Sequence, residues 1–534
     1  MSDVLLGSPG GTPYARYVAI YCLVAGVVCF AWLGSTDVVS MEGIVADGAR
    51  HMGRTGHYAV PHLYGQIYAY KPPLTCWLVR ASFDLFDRET EWTLRFPIAL
   101  TGFLMGAGVL TILASRLGPR TACLCALASL TGAIVIQKAR IAEFDMPLAA
   151  GVGIAVVAAC ANLSARRASV LLWMIGYAGL AFGFLVKGMP AVMAFVPGLL
   201  VAAVTARRLR RLAAPAHLIG TLCCVVPVGL WLACAWQAHG MQAFEQPLSE
   251  ARSRSLDWGW KALGLTFAKP AIVATLFIPW TVLLPVVFSK SWRQTLGESS
   301  RRLVGAAMSF LLVGTLAFMI VPTNSSRYYV PLCVPLGILA GIGATAKLTP
   351  FGRLCKGRHL AGLVCLAIVT VMLVVVCAGI APARVQTFPR ALLAVLACLT
   401  AGIFVHAARR IDDRFPARMF ILCALSIWAL DAWVVRPYRA ESRSLRQVAL
   451  ALDAHLPDDA AVWTEAGDSH SSLFFYLARP VRSFSLRTGE VPPGAFVVLP
   501  ASQLSILEAR DDFEYSVIER AASENRVYLL AKVP

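Results

Sequence analysis

The stretch from Asp37 to Trp77 reads DVVSMEGIVADGARHMGRTGHYAVPHLYGQIYAYKPPLTCW. It is too polar to cross a bilayer, yet apolar runs of membrane length flank it at 15–33 and 93–114. It gathers Asp37, Glu42, Asp47, Arg50, three histidines (His51, His57, His62) and Lys71. Ionisable groups beside a bilayer are costly unless they serve a pathway or a site. The stretch therefore reads as the first half of an active site at the surface of a membrane protein.

Working outward, membrane-length apolar runs occur at 15–33, 93–114, 120–136, 146–163, 168–186, 189–206, 215–236, 268–288, 303–321, 328–346, 360–380, 390–408 and 417–434. The expected fold is a polytopic α-helical membrane protein of about 13 transmembrane helices, each of roughly 20 residues. Composition agrees: 58% of the 534 residues are hydrophobic and 15% charged, where soluble domains carry roughly a quarter charged. The net charge of +18 lies in short clusters between apolar runs rather than on one basic face, which argues against nucleic acid as a partner.

Lys and Arg in short loops resist translocation. With the N-terminus cytoplasmic, basic clusters such as Arg207, Arg208, Arg210 and Arg211 fall inside, while the short outer loops hold only Lys138, Arg140, Lys187, Arg327, Arg384 and Arg390. An odd number of spans then places the Asp37–Trp77 segment and the C-terminal tail outside the cytoplasm. The expected division is a transmembrane domain, 1–434, with outer loops 34–92 and 237–267, and a soluble α/β domain, 435–534. Within that tail SLRQVALALDAHL and SQLSILEARDD have helical spacing, and AVWTEA, GAFVVLP and VYLLAKV read as strands.

The 15 cysteines all precede residue 424 and form no CxxC pair, so they read as small apolar packing residues. The N-terminus lacks the basic region and cleavage site of a signal peptide, so the first run is expected to be a retained anchor. No P-loop or GxGxxG occurs, which disfavours a nucleotide-driven pump.

The outer loops carry the chemistry. Glu42 with Asp37 and Asp47 could hold a divalent metal, act as a general base, orient a substrate hydroxyl, or merely solvate a loop. Lys71 is fixed by Pro72 and Pro73 at a helix entrance, a position suited to a phosphate or to a snorkelling interfacial lysine. Arg140, Glu143 and Asp145 precede a span, where Asp145 is either a second site acid or a helix cap. Lys187 sits between two spans, and Arg327-Tyr328-Tyr329 follows a short polar turn; cations converging there would make an anion site. His51, His57, His62 and His239 match no zinc spacing. The loop 237–269 adds Glu245, Glu250, Arg252, Arg254 and Asp257.

Taken together, ARHM (49–52), GHYAVPHLYGQIYAYKPPLTCWL (56–78), TLRFP (93–97), ARIAEFDMPL (139–148), LVKGMP (185–190), Pro279-Trp280 and SSRYYVPLCVPL (325–336) resemble the polyprenyl-phosphate-sugar transferases of type-C architecture. The likeness is to the lipid A aminoarabinose transferase family, akin to protein O-mannosyltransferases. It runs in order through about the first 340 residues. It implies an enzyme of the bacterial inner membrane, acting as a monomer on the periplasmic face. Such an enzyme moves a sugar, with inversion, from undecaprenyl or another polyprenyl phosphate to a lipid A-type or other lipid or glycan acceptor. By the resemblance Glu42 and Asp145 are the catalytic acids and Lys71, Arg140, Lys187 and Arg327 bind the donor phosphate; Asp37 is a further catalytic candidate, able to replace the missing family aspartate only by a different backbone path, and Tyr328 a further phosphate-binding candidate. Two departures stand out: Met41 replaces the aspartate that usually precedes the family's glutamate, and Tyr70 occupies a place where some relatives have an acid. The alternative is a lipid or sugar flippase without transferase activity.

Overall fold

The computed structural model describes residues 14–39, 41–255, 269–288, 290–294, 296–320, 325–345, 398, 415–465, 470–477, 479–510, 513–523 and 526–534. Among these residues seven helices are long and apolar enough to cross a membrane, or eight if a bent pair is counted as one span. The runs expected at 360–380 and 390–408 lie outside the described residues, as does the part of the outer loop from 256 to 268.

The first elements are α1 (Tyr14–Phe30), α2 (Met41–Thr55), the short antiparallel pair β1 (His62–Leu63) and β2 (Gln66–Ile67), and α3 (Leu74–Phe86). The polar stretch is thus largely structured: α2 and α3 are helices, and the β1–β2 pair lies in the segment between them. The apolar face of α2 buries Val45, Ala46, Ala49 and Met52, which explains how so polar a segment folds against the membrane helices.

The membrane part continues with α4 (Glu91–Leu117), α5 (Pro119–Leu130), α6 (Ala133–Lys138), α7 (Asp145–Ser164), α8 (Val170–Lys187), α9 (Met189–Thr205), α10 (Pro215–His239) and α11 (Gln242–Ser255). After a bent pair (Lys269–Leu276 with Trp280–Val287) come α12 (Glu298–Ile320), α13 (Cys333–Thr345) and α14 (Phe415–Leu430). Nearly every residue of α7 and α13 is buried, so these two form the centre of the bundle. Close approach depends on glycine: a Cβ on Gly151 of α7 would lie 2.5 Å from the carbonyl oxygen of Gly179 on α8, the small-residue packing of membrane helices. By contrast α10 exposes Leu218, Leu222, Val225, Val226 and Leu230. An apolar stripe of that size belongs against lipid.

Two single spans expected from hydropathy are broken. The run 120–136 becomes α5 and α6, interrupted at Thr131-Gly132, and the run 268–288 bends by 108°. The breaks meet each other: the Ala133 N–H donates to the Ile278 carbonyl (3.1 Å), and the Trp280 indole donates to Thr131 Oγ1 (2.9 Å). Irregular backbone survives inside a membrane protein where another buried segment satisfies it.

The C-terminal part follows on α15 (Arg436–Arg443) and α16 (Arg446–Asp453). Its five-stranded sheet comprises β3 (Val462–Glu465), β4 (Val481–Phe484), β5 (Phe496–Pro500), β6 (Ser516–Ser523) and β7 (Arg526–Lys532), ordered β4-β3-β5-β7-β6. β3 pairs in parallel with β4 and β5, and β7 lies antiparallel between β5 and β6. The strands expected from AVWTEA, GAFVVLP and VYLLAKV are β3, β5 and β7; β4, β6 and the helix α17 (Ser471–Leu477) had no sequence expectation. β4 is too short for its alternation to register, and β6 is an edge strand with mostly outward-facing side chains.

This sheet region sits on the polar stretch. A Cβ on Gly43 of α2 would fall 2.2 Å from the Ser471 carbonyl carbon, so only glycine admits α17 there. Arg50 donates to the Phe474 and Phe475 carbonyls (3.2 and 3.1 Å) near the end of α17 and to Glu89 (2.6 Å). A cation at a helix C-terminus satisfies carbonyls that have no partner within the helix.

Candidate active site

Several helix ends and the middle of α11 meet at one cavity of about 350 Å³, lined by Met41, Tyr68, Tyr70, Lys71, Glu143, Phe144, Asp145, Lys187, Glu250, Arg327 and Tyr328. Lys71 precedes α3, Asp145 is the first residue of α7 and Lys187 the last of α8. Arg327 lies in the 3-10 segment Ser326–Leu332 that leads into α13, and Glu250 comes from α11. Lys71, Asp145, Lys187 and Arg327 are placed at or beside helix termini rather than on long loops, and Glu250 projects from within α11. Gly188, with φ of 71°, makes the sharp turn that ends α8 at Lys187.

Charges alternate around the wall. Lys187 is hydrogen-bonded to Asp145 and lies 4.8 Å from the centre of the Tyr328 ring, a cation–π arrangement. Lys138, just behind the wall, binds Glu143 and stands 3.3 Å from the other Asp145 oxygen. Lys71 donates to Glu250 at 2.9 Å. The Arg327 Nε is buried and has no hydrogen-bond partner among the described residues. Burial, with the Asp145 charge adding to it, pushes the Glu143 carboxyl above its ordinary range despite Lys138. Burial alone would push Lys138 down, but Glu143 and Asp145 hold it up.

Of the expected site residues, Lys71, Asp145, Lys187, Arg327 and Tyr328 therefore line one cavity. Glu42, Asp37 and Arg140 do not. Glu42 is fully buried, accepting from Arg95 Nε (2.7 Å), Arg95 Nη2 (2.8 Å), the Ala142 N–H (3.0 Å) and the Val39 N–H (3.2 Å). With both oxygens engaged it has no capacity left for a substrate, and its geometry is that of a strut between the 33–42 segment and the 139–144 loop. Burial pushes Glu42 up, yet Arg95 and the Ala142 N–H outweigh it and hold the carboxyl below its ordinary range. Arg140 is buried too, donating to the Val28 and Trp32 carbonyls (2.9 and 3.3 Å). It ties the end of α1 to the loop instead of facing an anion. Asp37 accepts from Ser444 (2.7 Å) and Arg446 (3.3 Å) and lines a second, smaller cavity.

Sequence reasoning marks Glu143, Lys138 and Glu250 only as charged residues of the outer loops, with no assigned role, and passes over Arg95. The spacing of Lys138, Glu143 and Asp145 in QKARIAEFD hinted at the first two; nothing in sequence pairs Glu250 with Lys71. The histidines do converge, with ring centroids of His62 lying 4.4 Å from His51 and 5.2 Å from His239. Among the described residues, no three His, Cys, Asp or Glu side chains are grouped to hold a metal.

Comparison with known proteins bears on this arrangement. A family model described as dolichyl-phosphate-mannose-protein mannosyltransferase matches residues 70–231. An uncharacterised protein of Aquifex aeolicus is 25% identical over 86% of this chain and 85% of its own length. The undecaprenyl phosphate-alpha-4-amino-4-deoxy-L-arabinose arabinosyl transferase 2 of Pseudomonas fluorescens is 27% identical over 63% of this chain, and the match takes in 61% of that relative. The crystal structure of ArnT from Cupriavidus metallidurans bound to undecaprenyl phosphate superimposes with a TM-score of 0.73 at 20% identity, over 97% of this chain and 98% of that one. The resemblance read from the motifs and the membrane fold with its small C-terminal sheet thus both find counterparts.

Proposed function

From an ArnT-like membrane fold that gathers three cations and three carboxylates around one cavity, we propose a glycosyltransferase that moves a sugar from a polyprenyl phosphate, such as undecaprenyl phosphate, to a lipid acceptor. The observation that carries this reading is the convergence of Lys71, Lys187 and Arg327 with Glu143 and Asp145 around the 350 Å³ cavity. The leaving group of such a donor is a phosphate on a lipid, so charge builds on its oxygens as the bond to the sugar C1 breaks. Preorganised cations aimed at that charge supply the largest catalytic term. Lys71, Lys187 and Arg327 take that part, and Tyr328 holds Lys187 in place. As Lys71 is engaged by Glu250, the donor phosphate takes the carboxylate's place on entry.

The acceptor attacks C1 from the face opposite the leaving phosphate, inverting it, and the C1–O electron pair departs with the polyprenyl phosphate. Glu143, held above the ordinary carboxylate range, takes the proton when the acceptor is a hydroxyl. Asp145, clasped by Lys187 and Lys138, orients both lysines. The relatives' names point to 4-amino-4-deoxy-L-arabinose as the sugar and the family to a lipid A-type acceptor. We place the chain in the inner membrane with the cavity and the C-terminal region on the periplasmic side, in line with the charge asymmetry of its loops. A flippase would need charges at the bilayer midplane along a path; here they cluster at helix ends on one side.

The test is reconstitution with radiolabelled polyprenyl-phosphate sugars and a panel of lipid acceptors. Transfer that falls by about 10²–10³-fold in Lys187→Ala or Arg327→Ala supports the reading. No transfer from any carrier-linked donor would overturn it.

A further inference from the structure

A second cavity, of about 170 Å³, adjoins the first: Glu143 lines both. We propose that it is a separate phosphate-binding subsite that takes the phosphorylated head of a glycolipid acceptor while the first cavity holds the donor phosphate. This inference rests on the donor assignment above and deepens it.

The argument is one of charge. Most ionisable groups on this wall already have partners. Arg95 is committed to Glu42, Lys138 to Glu143, Arg436 to Asp431 at 3.5 Å, and Asp37 to Ser444 and Arg446. Arg439 and Arg443 differ. Both line the cavity, both are exposed, and neither guanidinium has an ion pair or hydrogen bond among the described residues.

They stand one turn apart on α15, where like charges at i and i+4 destabilise a helix. An anion between them removes that cost. The guanidinium fork suits phosphate, which it grips through paired N–H donors. α15 begins where the last apolar helix ends, so the pair lies at headgroup level beside the bilayer. Glu143, shared with the first cavity, lines this one together with the two arginines. A bulk phospholipid would need only the rim; a headgroup that must present its nucleophile to the donor has to reach the shared carboxylate.

The experiment measures binding to the full-length, detergent-solubilised chain of four probes: polyprenyl phosphate, a phosphorylated glycolipid, the same glycolipid without phosphate, and phosphatidylglycerol. Arg439→Ala/Arg443→Ala is expected to weaken the phosphorylated glycolipid roughly ten- to a hundredfold, the loss of charge-assisted hydrogen bonds, while leaving polyprenyl phosphate unchanged. Retained polyprenyl phosphate binding also certifies the fold, and Arg439→Lys/Arg443→Lys is expected to recover part of the loss. Lys71→Ala is expected to do the reverse, weakening polyprenyl phosphate alone. The proposal is overturned if the double variant binds the phosphorylated glycolipid like the parent, if it loses polyprenyl phosphate in equal measure, if the dephosphorylated glycolipid binds as tightly, or if phosphatidylglycerol competes on equal terms. Failure of the donor assignment shows separately, as a parent protein that binds the glycolipid but not polyprenyl phosphate.

Discussion

Glu143 and Asp145 are two residues apart, share Lys138, and occupy different environments, so their replacements should differ. Glu143→Gln should remove the acid limb of the pH–rate profile with a hydroxyl acceptor, a limb that in the parent lies above the ordinary carboxylate value of 4.5 because burial raises this group. Asp145→Asn releases Lys187 and Lys138 and should raise the donor KM as well as lower kcat, which steady-state kinetics would separate. Glu250→Gln frees Lys71 and should tighten polyprenyl phosphate binding, measured directly; weaker binding would refute the exchange of carboxylate for phosphate. Glu42 belongs to another class. Its removal leaves Arg95 buried without a counter-charge, which costs about 3–5 kcal/mol, so Glu42→Gln should lower the thermal midpoint sharply. In the parent, because the folded-state pKa of Glu42 lies below 4.5, the stability it contributes is full above that pH and is lost as pH falls through the depressed value. Sequence alone could mark Glu42 as a charged residue worth attention; that both its oxygens are held, by Arg95 and Ala142 from far along the chain and by nearby Val39, is not legible there.

At the scale of elements, the polar stretch is a docking platform as much as a loop. α2 carries Glu42 toward the bundle and Arg50 toward α17, so one short helix joins the membrane part to the sheet. Arg50→Ala would strand two buried carbonyls, at about 1–3 kcal/mol each as an upper bound; it should loosen α17, seen as faster hydrogen exchange at Phe474 and Phe475 with little change in α7. The turn that brings His51, His62 and His239 together makes a complementary prediction. Burial first, and then the neighbouring histidines and Arg54, lower His51 from 6.5 to about 4. A group whose folded pKa is depressed in this way destabilises the fold as pH drops below 6.5, and the thermal midpoint should fall between there and pH 4. His51→Phe should blunt that fall. Sequence reasoning expects an outer loop where α2 and α3 form and has no expectation for α17; that these segments are helical, and which face each offers to what, depended on partners that periodicity does not name.

For the whole molecule, the proposed placement of the cavity on the periplasmic side makes a simple demand. A reporter joined after Pro437 should be active only outside the cytoplasm, and a cysteine at Arg443 should react with an impermeant thiol reagent in intact spheroplasts. Cytoplasmic readouts would reverse the arrangement. The sequence by itself determined the class of fold, because a run of about 20 apolar residues has few fates other than a membrane helix. It also led to the expectation that one face is chemically rich, because loop charge and ordered motifs are local properties. It singled out Lys71, Asp145, Lys187 and Arg327, with the adjacent Tyr328, because each lies near the end of a span, where a charged residue stands out against its neighbours. Only the tertiary structure decided that those five share a wall with Glu143 and Glu250, that Glu42 and Arg140 are sealed in hydrogen-bonded struts, and that two apolar runs are broken helices. The physical reason is that ion pairing and backbone satisfaction are settled between segments as distant as Lys71 and Glu250, by packing that hydropathy cannot express.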